Sequence, residues 1–295
     1  MVEKPTTWKA RSRLLGWRIA GAIPWRWWVL PAWIIAVALS WWPNAAVRQW
    51  TSNFEVFAAR RATRNDIRRG LMSWARATVT SLQLHRLRPE VLLSATVFSD
   101  EDSTRLRMVA ASPGAVIGLP HQGSWDQCGA WACVHDMPVS TVAEELPGGE
   151  WEYFSGLRQR LGFEVYSHRD PRALPALLAD ARAGRLVCLL ADRDFSRHGI
   201  PVIWHTPTGE RRATMPPGPA LVAERTGAVL LGIASHWKDG RLEVIVSPPL
   251  TAEPGTTAPQ QRIAEMTQAL CDFFCEQVSA HPHDWHMLQP FFEGV

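Results

Sequence analysis

Residues 117–126 read Ile-Gly-Leu-Pro-His-Gln-Gly-Ser-Trp-Asp, and the rest of the chain is organised around them. Residues 115–119 form an apolar, partly β-branched run that is typical of a buried strand. Pro120 and Gly123 then mark a loop. His121 is therefore predicted at the carboxyl end of a strand, which is the edge at which open α/β sheets bind their ligands.

A carboxylate lies five positions after this histidine. Asp126 is predicted in the first turn of a helix that Ser124 is suited to cap. An imidazole at a strand end can take a proton from a hydroxyl, and a nearby carboxylate can fix its tautomer and stabilise the charge it gains. A loop histidine can equally serve only to bind backbone groups, and the short spacing alone does not separate the two interpretations.

A second buried strand also ends in an acidic residue. Residues 186–191 are apolar, and Asp192 follows them directly. Because the carboxyl ends of parallel strands share one edge of a sheet, Asp192 can lie beside His121; a helix N-cap is the alternative role. Further strands are predicted at residues 139–142, 163–166, 228–234 and 241–246, and helices at residues 65–87, 151–161, 172–183, 217–225 and 263–278.

Strands that alternate with helices indicate an α/β fold with a mostly parallel or mixed central sheet and helices on both faces. The apolar content of 46% is enough for one large core, and no linker or internal repeat divides the chain. We predict a single structural domain, in which residues 1–50 form tryptophan-rich membrane-associating helices and residues 51–295 form the α/β core.

Five blocks of sequence resemble, in order, the bacterial lipid A acyltransferase family and especially its actinobacterial phosphatidylinositol mannoside acyltransferases. The resemblance covers roughly residues 14–292. The blocks are His121 to Asp126 with Gly123 and Trp125; Val142-Ala143-Glu144 with Leu161 to Val165; Asp192-Arg193-Asp194 with Ser196, Arg197 and Gly199; Met215-Pro216 with Gly218-Pro219-Ala220 and Thr226-Gly227-Ala228; and Asp284 to Pro290.

The resemblance implies transfer of a long fatty acyl group from acyl-coenzyme A to a mannose hydroxyl of a phosphatidylinositol mannoside. His121 would be the general base, with Asp192 or Asp126 as its partner. The mannoside acyltransferases carry a glutamate at the position of Asp192, so the contact with His121 would be made by a shorter side chain. The open alternatives are another glycolipid or lysophospholipid acceptor, and a membrane-bound acyl-coenzyme A thioesterase or hydrolase.

Substrate-binding residues follow from the same resemblance. Arg158 corresponds to a family arginine near the active site, and a guanidinium suits a phosphate or a developing oxyanion. The other predicted substrate-binding residues are Glu144, Arg193, Asp194 and Arg197. Acyl-coenzyme A would be a co-substrate rather than a resident cofactor. No metal site is predicted, because His281, His283 and His286 have no carboxylate or cysteine in ligand spacing.

A tryptophan-rich segment near the amino terminus predicts contact with a membrane. Residues 27–42 carry no charge, and six of the sixteen tryptophans lie between residues 25 and 42. Tryptophan favours the boundary between headgroups and hydrocarbon, and Pro31 and the short length disfavour a spanning helix. A spanning helix, a buried helix and a dimer surface are the alternatives. A cleaved signal peptide is disfavoured, because the family resemblance begins upstream.

The charge distribution and the cysteine content indicate which kinds of partner and which cellular compartment to expect. An arginine cluster (Arg60, Arg61, Arg64, Arg68 and Arg69) is either a solvated helix face or a surface for anionic headgroups. The net charge of +3 gives no reason to expect nucleic acid. Five cysteines without a Cys-x-x-Cys pair indicate reduced thiols. We therefore predict a peripheral or monotopic protein on the cytoplasmic face of the cell membrane, with its oligomeric state open.

Overall fold

Seven strands form the central sheet of the structure, a computed structural model that describes residues 8–110, 114–194 and 199–292. Its strands are β1 (Thr96–Phe98), β2 (Ala115–Leu119), β3 (Val139–Ala143), β4 (Glu164–Ser167), β5 (Leu186–Leu190), β8 (Val229–Lys238) and β9 (Arg241–Val246), and a separate hairpin is formed by β6 (Ile200–Thr206) and β7 (Gly209–Met215). The sheet order is β1-β9-β8-β2-β5-β3-β4, and every neighbouring pair is parallel except β8 and β9. The predicted mostly parallel α/β sheet is confirmed.

Helices cover this sheet, and their bounds follow the apolar periodicity of the sequence. They are α1 (Trp8–Ala22), α2 (Trp25–Trp41), α3 (Ala45–Ala58), α4 (Arg64–Gln83), α5 (Pro89–Ala95), α6 (Asp100–Ala110), α7 (Trp125–Val134), α8 (Glu150–Arg160), α9 (Ala173–Arg182), α10 (Gly218–Thr226) and α11 (Pro259–Ala280). The helix predicted at residues 65–87 is α4 with a short 3-10 turn after it. Thr63 and Asp66 form a capping box at its start, which fixes where it begins.

The two faces of the sheet carry different helices. Ile117 packs into a core cluster with side chains from α6 and α7, whereas its neighbour Val116 packs into a cluster with side chains from α9 and α10. This alternation is the period of two expected of a strand that is buried on both faces. The side chains of the central strand β2 are thus buried from solvent on both faces, and the polar residues nearest to it follow its carboxyl end.

Two neighbouring strands of the sheet separate towards their carboxyl ends. Strand β2 pairs with β5 over five residues, but β3 pairs with β5 only at Val139 with Leu186 and at Ser140 with Val187. Beyond these two pairs the strands diverge. The sheet therefore opens between β3 and β5 on the edge where His121 and Asp192 lie.

A hairpin of β6 and β7 was not predicted. It packs against α11, and its buried side chains Val202, Trp204 and Met215 alternate with exposed ones. Pro201 and the charged residues of β7 mask the strand pattern in the sequence, because only one face of the hairpin is buried.

The amino-terminal helices expose an apolar surface. Its members are Trp8, Leu15, Ile19, Ile23, Trp27, Val29, Leu30, Trp33, Ile34, Ile35, Trp41 and Trp42. No single helix of the described residues is long and apolar enough to cross a membrane; α2 and α3 together reach that length and composition but meet at an 80° bend. The boundary at residue 50 stays a prediction, and α3 runs through it.

The arginine cluster is partly committed to contacts within the protein. Arg60 forms an ion pair with Asp66 at 2.7 Å, and Arg68 donates to the Ser40 hydroxyl. The guanidinium of Arg64 lies 3.4 Å from the ring centre of Trp41. These contacts fasten α4 and the loop before it to α2, so the cluster has a structural role whatever it binds.

Candidate active site

The structure brings His121 and Asp192 together at the carboxyl ends of adjacent parallel strands. Leu119 of β2 is in register with Leu190 of β5, so the residues that follow each strand meet. The Nδ1 atom of His121 lies 2.5 Å from Oδ1 of Asp192. The shorter aspartate side chain therefore does reach the histidine, as the parallel sheet predicts. With Nδ1 bound to the carboxylate, Nε2 is the ring nitrogen left to take a proton from a molecule in the site.

Asp192 is fully buried and accepts three N–H groups. Its Oδ2 accepts the backbone N–H of His121 at 2.8 Å and the indole N–H of Trp285 at 2.9 Å, while Oδ1 faces the His121 ring. Burial raises the pKa of this carboxyl, but the charge and hydrogen bonds of His121 and the bond from Trp285 outweigh it and lower the pKa below its ordinary value. Asp192 is therefore ionised at neutral pH.

The loop that carries His121 is held from behind by the end of the chain. The backbone N–H of Gly123 donates to the carbonyl of Asp284 at 2.9 Å, and the N–H of His286 donates to the carbonyl of His121 at 2.7 Å. Gly123 has φ of 63°, and a Cβ there would lie 2.3 Å from the Ser235 carbonyl oxygen, so only glycine fits. The loop is thus held by hydrogen bonds of its backbone to residues 284 and 286 and by the bond between the His121 ring and Asp192.

Ser124 precedes α7 as predicted, but its side chain caps nothing. No cap hydrogen bond forms, and the Ser124 backbone N–H donates to the hydroxyl of Ser235 instead. The Ser124 hydroxyl oxygen is buried without a hydrogen-bond partner among the described residues.

Asp126 is not the partner of His121. It forms a two-point ion pair with Arg158, at 2.8 Å from Nε and 3.2 Å from Nη2, and both side chains are largely buried. The prediction that Asp126 is an alternative partner of His121 is therefore wrong, because its carboxylate binds Arg158 instead. Asp126 lies in the first turn of α7, which directs its carboxylate towards α8. Burial lowers the pKa of Arg158, whereas the charge of Asp126 and its hydrogen bond raise it. The effect of Asp126 is the larger, so the pair stays ionised.

A cavity of about 1060 Å³ opens beside His121. The cavity extends through the opening between β3 and β5. Thr141 and Val142 of β3 line one side of it, and Cys188 and Leu189 of β5 line the other. The lobe beneath α7 is almost wholly apolar. It is lined by Phe98, Leu106, Ile117, Cys128, Gly129, Ala132, Val139, Phe163, Leu186 and Ile233.

The apolar lobe is deep. It extends from His121 to Leu186, which is in register with Ala115, six residues back along the strand. At about 3.3 Å per residue this is roughly 20 Å. An apolar lining along such a stretch suits an extended hydrocarbon chain, and the volume of the whole cavity lies at the upper end of ordinary ligand sites.

The other predicted substrate residues that the structure describes also line the cavity. Glu144, Arg158, Arg193 and Asp194 all line it. Arg193 also donates to the side chain of Gln289. Burial lowers the pKa of its guanidinium, and the charges of Asp192 and Glu144 offset this lowering only in part. Arg197 lies outside the described residues.

Several residues of the site were not predicted from the sequence. Trp285 is the buried donor to Asp192, and Trp125 lines the cavity with its ring against His121 at 5.5 Å between centres. His168 and Asp170 line the cavity after β4. The matching block at residues 284–290 signalled Trp285, but its partner lies 93 residues earlier and could not be read from spacing.

The three histidines of the tail have structural contacts. His283 lies 2.8 Å from Asp66, and His281 stacks on His236 with ring centres 3.4 Å apart. Burial lowers the pKa of His286 to about 3, so it is neutral beside Ser73. Within the described ranges, no group of three or more His, Cys, Asp or Glu side chains could hold a metal ion.

The five cysteines are free thiols. Burial raises the pKa of Cys128 to about 12, so this thiol in the cavity wall stays protonated and is a poor nucleophile. Cys271 and Cys275 pack in the core between α11 and the hairpin, as predicted. The Cys128 thiol is thus not a competitor of His121 for the chemistry of the cavity.

The fold and site define a class of α/β protein with a histidine–carboxylate pair at the mouth of a deep apolar cavity. The sequence profile of the bacterial lipid A biosynthesis acyltransferase family matches residues 5–293, and the chain belongs to that family. It is 41% identical over 188 residues to proteins named phosphatidylinositol mannoside acyltransferase from two strains of Mycobacterium tuberculosis, and 38% identical over 186 residues to one from Mycolicibacterium smegmatis. These matches cover 61–62% of this chain and 55–57% of the relatives, so the chain spans little more than half their length.

Proposed function

We propose that this protein is an O-acyltransferase that moves a long-chain fatty acyl group from acyl-coenzyme A to a mannose hydroxyl of a phosphatidylinositol mannoside. The observation that carries the proposal is the His121–Asp192 pair beside a largely apolar cavity of about 1060 Å³. The names of the mycobacterial relatives support the choice of acceptor.

His121 would act at Nε2. A sugar hydroxyl is almost wholly protonated at neutral pH, so removing its proton as the oxygen attacks contributes about 10²–10⁴-fold. The hydroxyl oxygen forms a bond to the thioester carbonyl carbon while its proton passes to Nε2. When the tetrahedral intermediate collapses, the carbon–sulfur bond breaks and the imidazolium returns the proton to the sulfur. The products are the ester and the free thiol.

Asp192 would stabilise the imidazolium formed in the first step. Its buried carboxylate lies against Nδ1, and a charge in a site shielded from water is only weakly screened. Because Trp285 and the His121 backbone hold the other oxygen, the carboxylate has no need to reorganise during the reaction.

The apolar lobe beneath α7 would take the acyl chain, which leaves the polar mouth for the acceptor. Glu144, Arg158, Arg193 and Asp194 supply charged groups at that mouth. Arg158 uses two of its five N–H groups on Asp126, so the remaining ones would bind a hydroxyl, a phosphate or the oxyanion.

Attachment to the cytoplasmic face of a membrane would present the acceptor. The exposed surface of α1 and α2 carries tryptophans and aliphatic side chains that suit the boundary between headgroups and hydrocarbon. Helix α1 is joined to the cavity wall, because Arg13 and Trp17 both bind Glu150 at the start of α8, which carries Arg158. A bilayer on this surface would therefore lie close to the elements around the mouth.

Transfer is tested with purified protein, labelled acyl-coenzyme A and a panel of glycolipids in vesicles, read by mass spectrometry. We expect acylated mannoside to appear, and His121→Ala to lower the rate by about 10³-fold or more in a protein that stays folded. Release of free fatty acid without an acceptor would favour a thioesterase, and near-normal transfer by His121→Ala would exclude the mechanism.

Membrane attachment is tested by sedimentation with anionic vesicles. High salt should release the protein only in part, because apolar insertion is not screened as surface charge is. Trp33→Glu with Ile34→Glu should abolish binding, whereas the same changes at Met108 and Val134, which are exposed on α6 and α7, should not. Complete release by salt alone contradicts the proposal.

A further inference from the structure

The indole N–H of Trp285 has a single polar partner, Oδ2 of Asp192, at 2.9 Å. Trp285 is 1% exposed and Asp192 is fully buried, so no solvent can replace this bond. The same oxygen accepts the backbone N–H of His121. Two donors from different parts of the chain thus fix Oδ2, and this leaves Oδ1 directed at the ring of His121.

Trp285 is itself held rigidly. Its backbone carbonyl accepts the indole N–H of Trp50 at 3.0 Å, and its ring packs edge-on against Phe57 and Phe291. Asn53 of α3 binds the carbonyls of Met287 and Gln289, so the segment after Trp285 is also fastened. A donor with this support has little freedom to follow a carboxylate that moves.

We propose that Trp285 is a positioning residue of the active site: its N–H holds Asp192 in the orientation that lets the carboxylate fix the tautomer of His121. Trp285 does not line the cavity and touches no reacting atom; it acts through Asp192. The proposal rests on the proposed function for its kinetic consequence, but its geometric part is independent of the substrate.

The chain offers a matched control in Trp204. This tryptophan is fully buried in the same aromatic cluster, 6.4 Å from Trp285 between ring centres. Its indole nitrogen has no hydrogen-bond partner among the described residues. Trp204→Phe therefore removes the same atoms from the same core as Trp285→Phe, but without removing a bond to Asp192.

The expected result is a fall in kcat of about 10- to 100-fold for Trp285→Phe with little change in KM, because a lost bond to a charged group has that range of effect. Trp204→Phe should keep kcat within about twofold at a similar loss of melting temperature. Replacing Trp285 by 3-benzothienylalanine, which keeps the ring shape and removes only the N–H, should reproduce the effect if the phenylalanine variant folds poorly.

A proton NMR measurement separates this proposal from the proposed function. The Nδ1 proton between His121 and Asp192 should give a far-downfield resonance that is absent in His121→Ala. It should weaken or shift in both Trp285 variants and persist in Trp204→Phe, whatever substrate the protein uses. An unchanged resonance with kcat within twofold in the Trp285 variants, or equal losses in Trp204→Phe, would overturn the positioning role. Absence of acyl transfer in the wild type with the expected NMR changes would fault only the proposed function.

Discussion

Replacing Asp192 by asparagine should disable the proposed base while leaving its packing intact. The carboxylate receives three N–H groups, two at Oδ2 and one at Oδ1. An asparagine amide has one acceptor oxygen. That oxygen is expected to face the two fixed donors, the His121 backbone and Trp285, so the NH₂ group points at Nδ1 of His121.

The consequence is a change of tautomer. An Nδ1 that accepts from the amide carries no proton, so the proton lies on Nε2, which can no longer take one from a hydroxyl. The opposite orientation of the amide would leave buried N–H groups unsatisfied at about 1–3 kcal/mol each. Loss of the correct tautomer and of the charge together should reduce the rate by about 10⁴-fold, which corresponds to about 5 kcal/mol of transition-state stabilisation.

The assay is single-turnover acyl transfer at saturating acceptor, with melting temperature measured in parallel. Asp180→Asn is the matched control, because Asp180 accepts the hydroxyl of Tyr166 and does not line the cavity. The control should stay within about twofold of wild type. Activity of Asp192→Asn within tenfold of wild type, in a folded protein, would show that His121 does not depend on this carboxylate.

Three further outcomes are expected. Asp126→Asn should destabilise the protein by about 3 kcal/mol, since it leaves the buried charge of Arg158 without its partner, and denaturant unfolding measures this; a change below about 0.5 kcal/mol would contradict the pairing. Burial raises the pKa of Asp284 to about 6, so the folded state favours the protonated carboxyl and the protein loses stability as the pH rises from about 4 to about 6. The melting temperature of Asp284→Asn should therefore rise relative to that of the wild type between about pH 5 and 7.5. A difference between the two melting temperatures that stays constant over this range would refute the prediction. Leu186→Trp, at the far end of the apolar lobe, should shift preference towards shorter acyl chains in a competition among acyl-coenzyme A lengths, whereas an unshifted product profile would place the chain elsewhere.

The sequence predicted many elements of this fold because their signals are local, although β1, α3, α5 and α6 were not predicted. The apolar run before His121 and the one before Asp192 each identified a buried strand, and the alternation of strands with helices identified the parallel sheet. The hairpin of β6 and β7 was not predicted, because only one of its faces is buried and its charged residues give the sequence a pattern typical of a loop.

Only the tertiary structure decided which carboxylate serves His121. Asp126 is five positions away in the chain, yet its place in the first turn of α7 directs it to Arg158; Asp192 is 71 residues away, yet the parallel register of β2 and β5 brings it to 2.5 Å. Trp285 joins them from the end of the chain through contacts with α3. Periodicity in a sequence reports which face of an element is buried, but the partner of a polar side chain depends on strand register and on segments that meet only after folding.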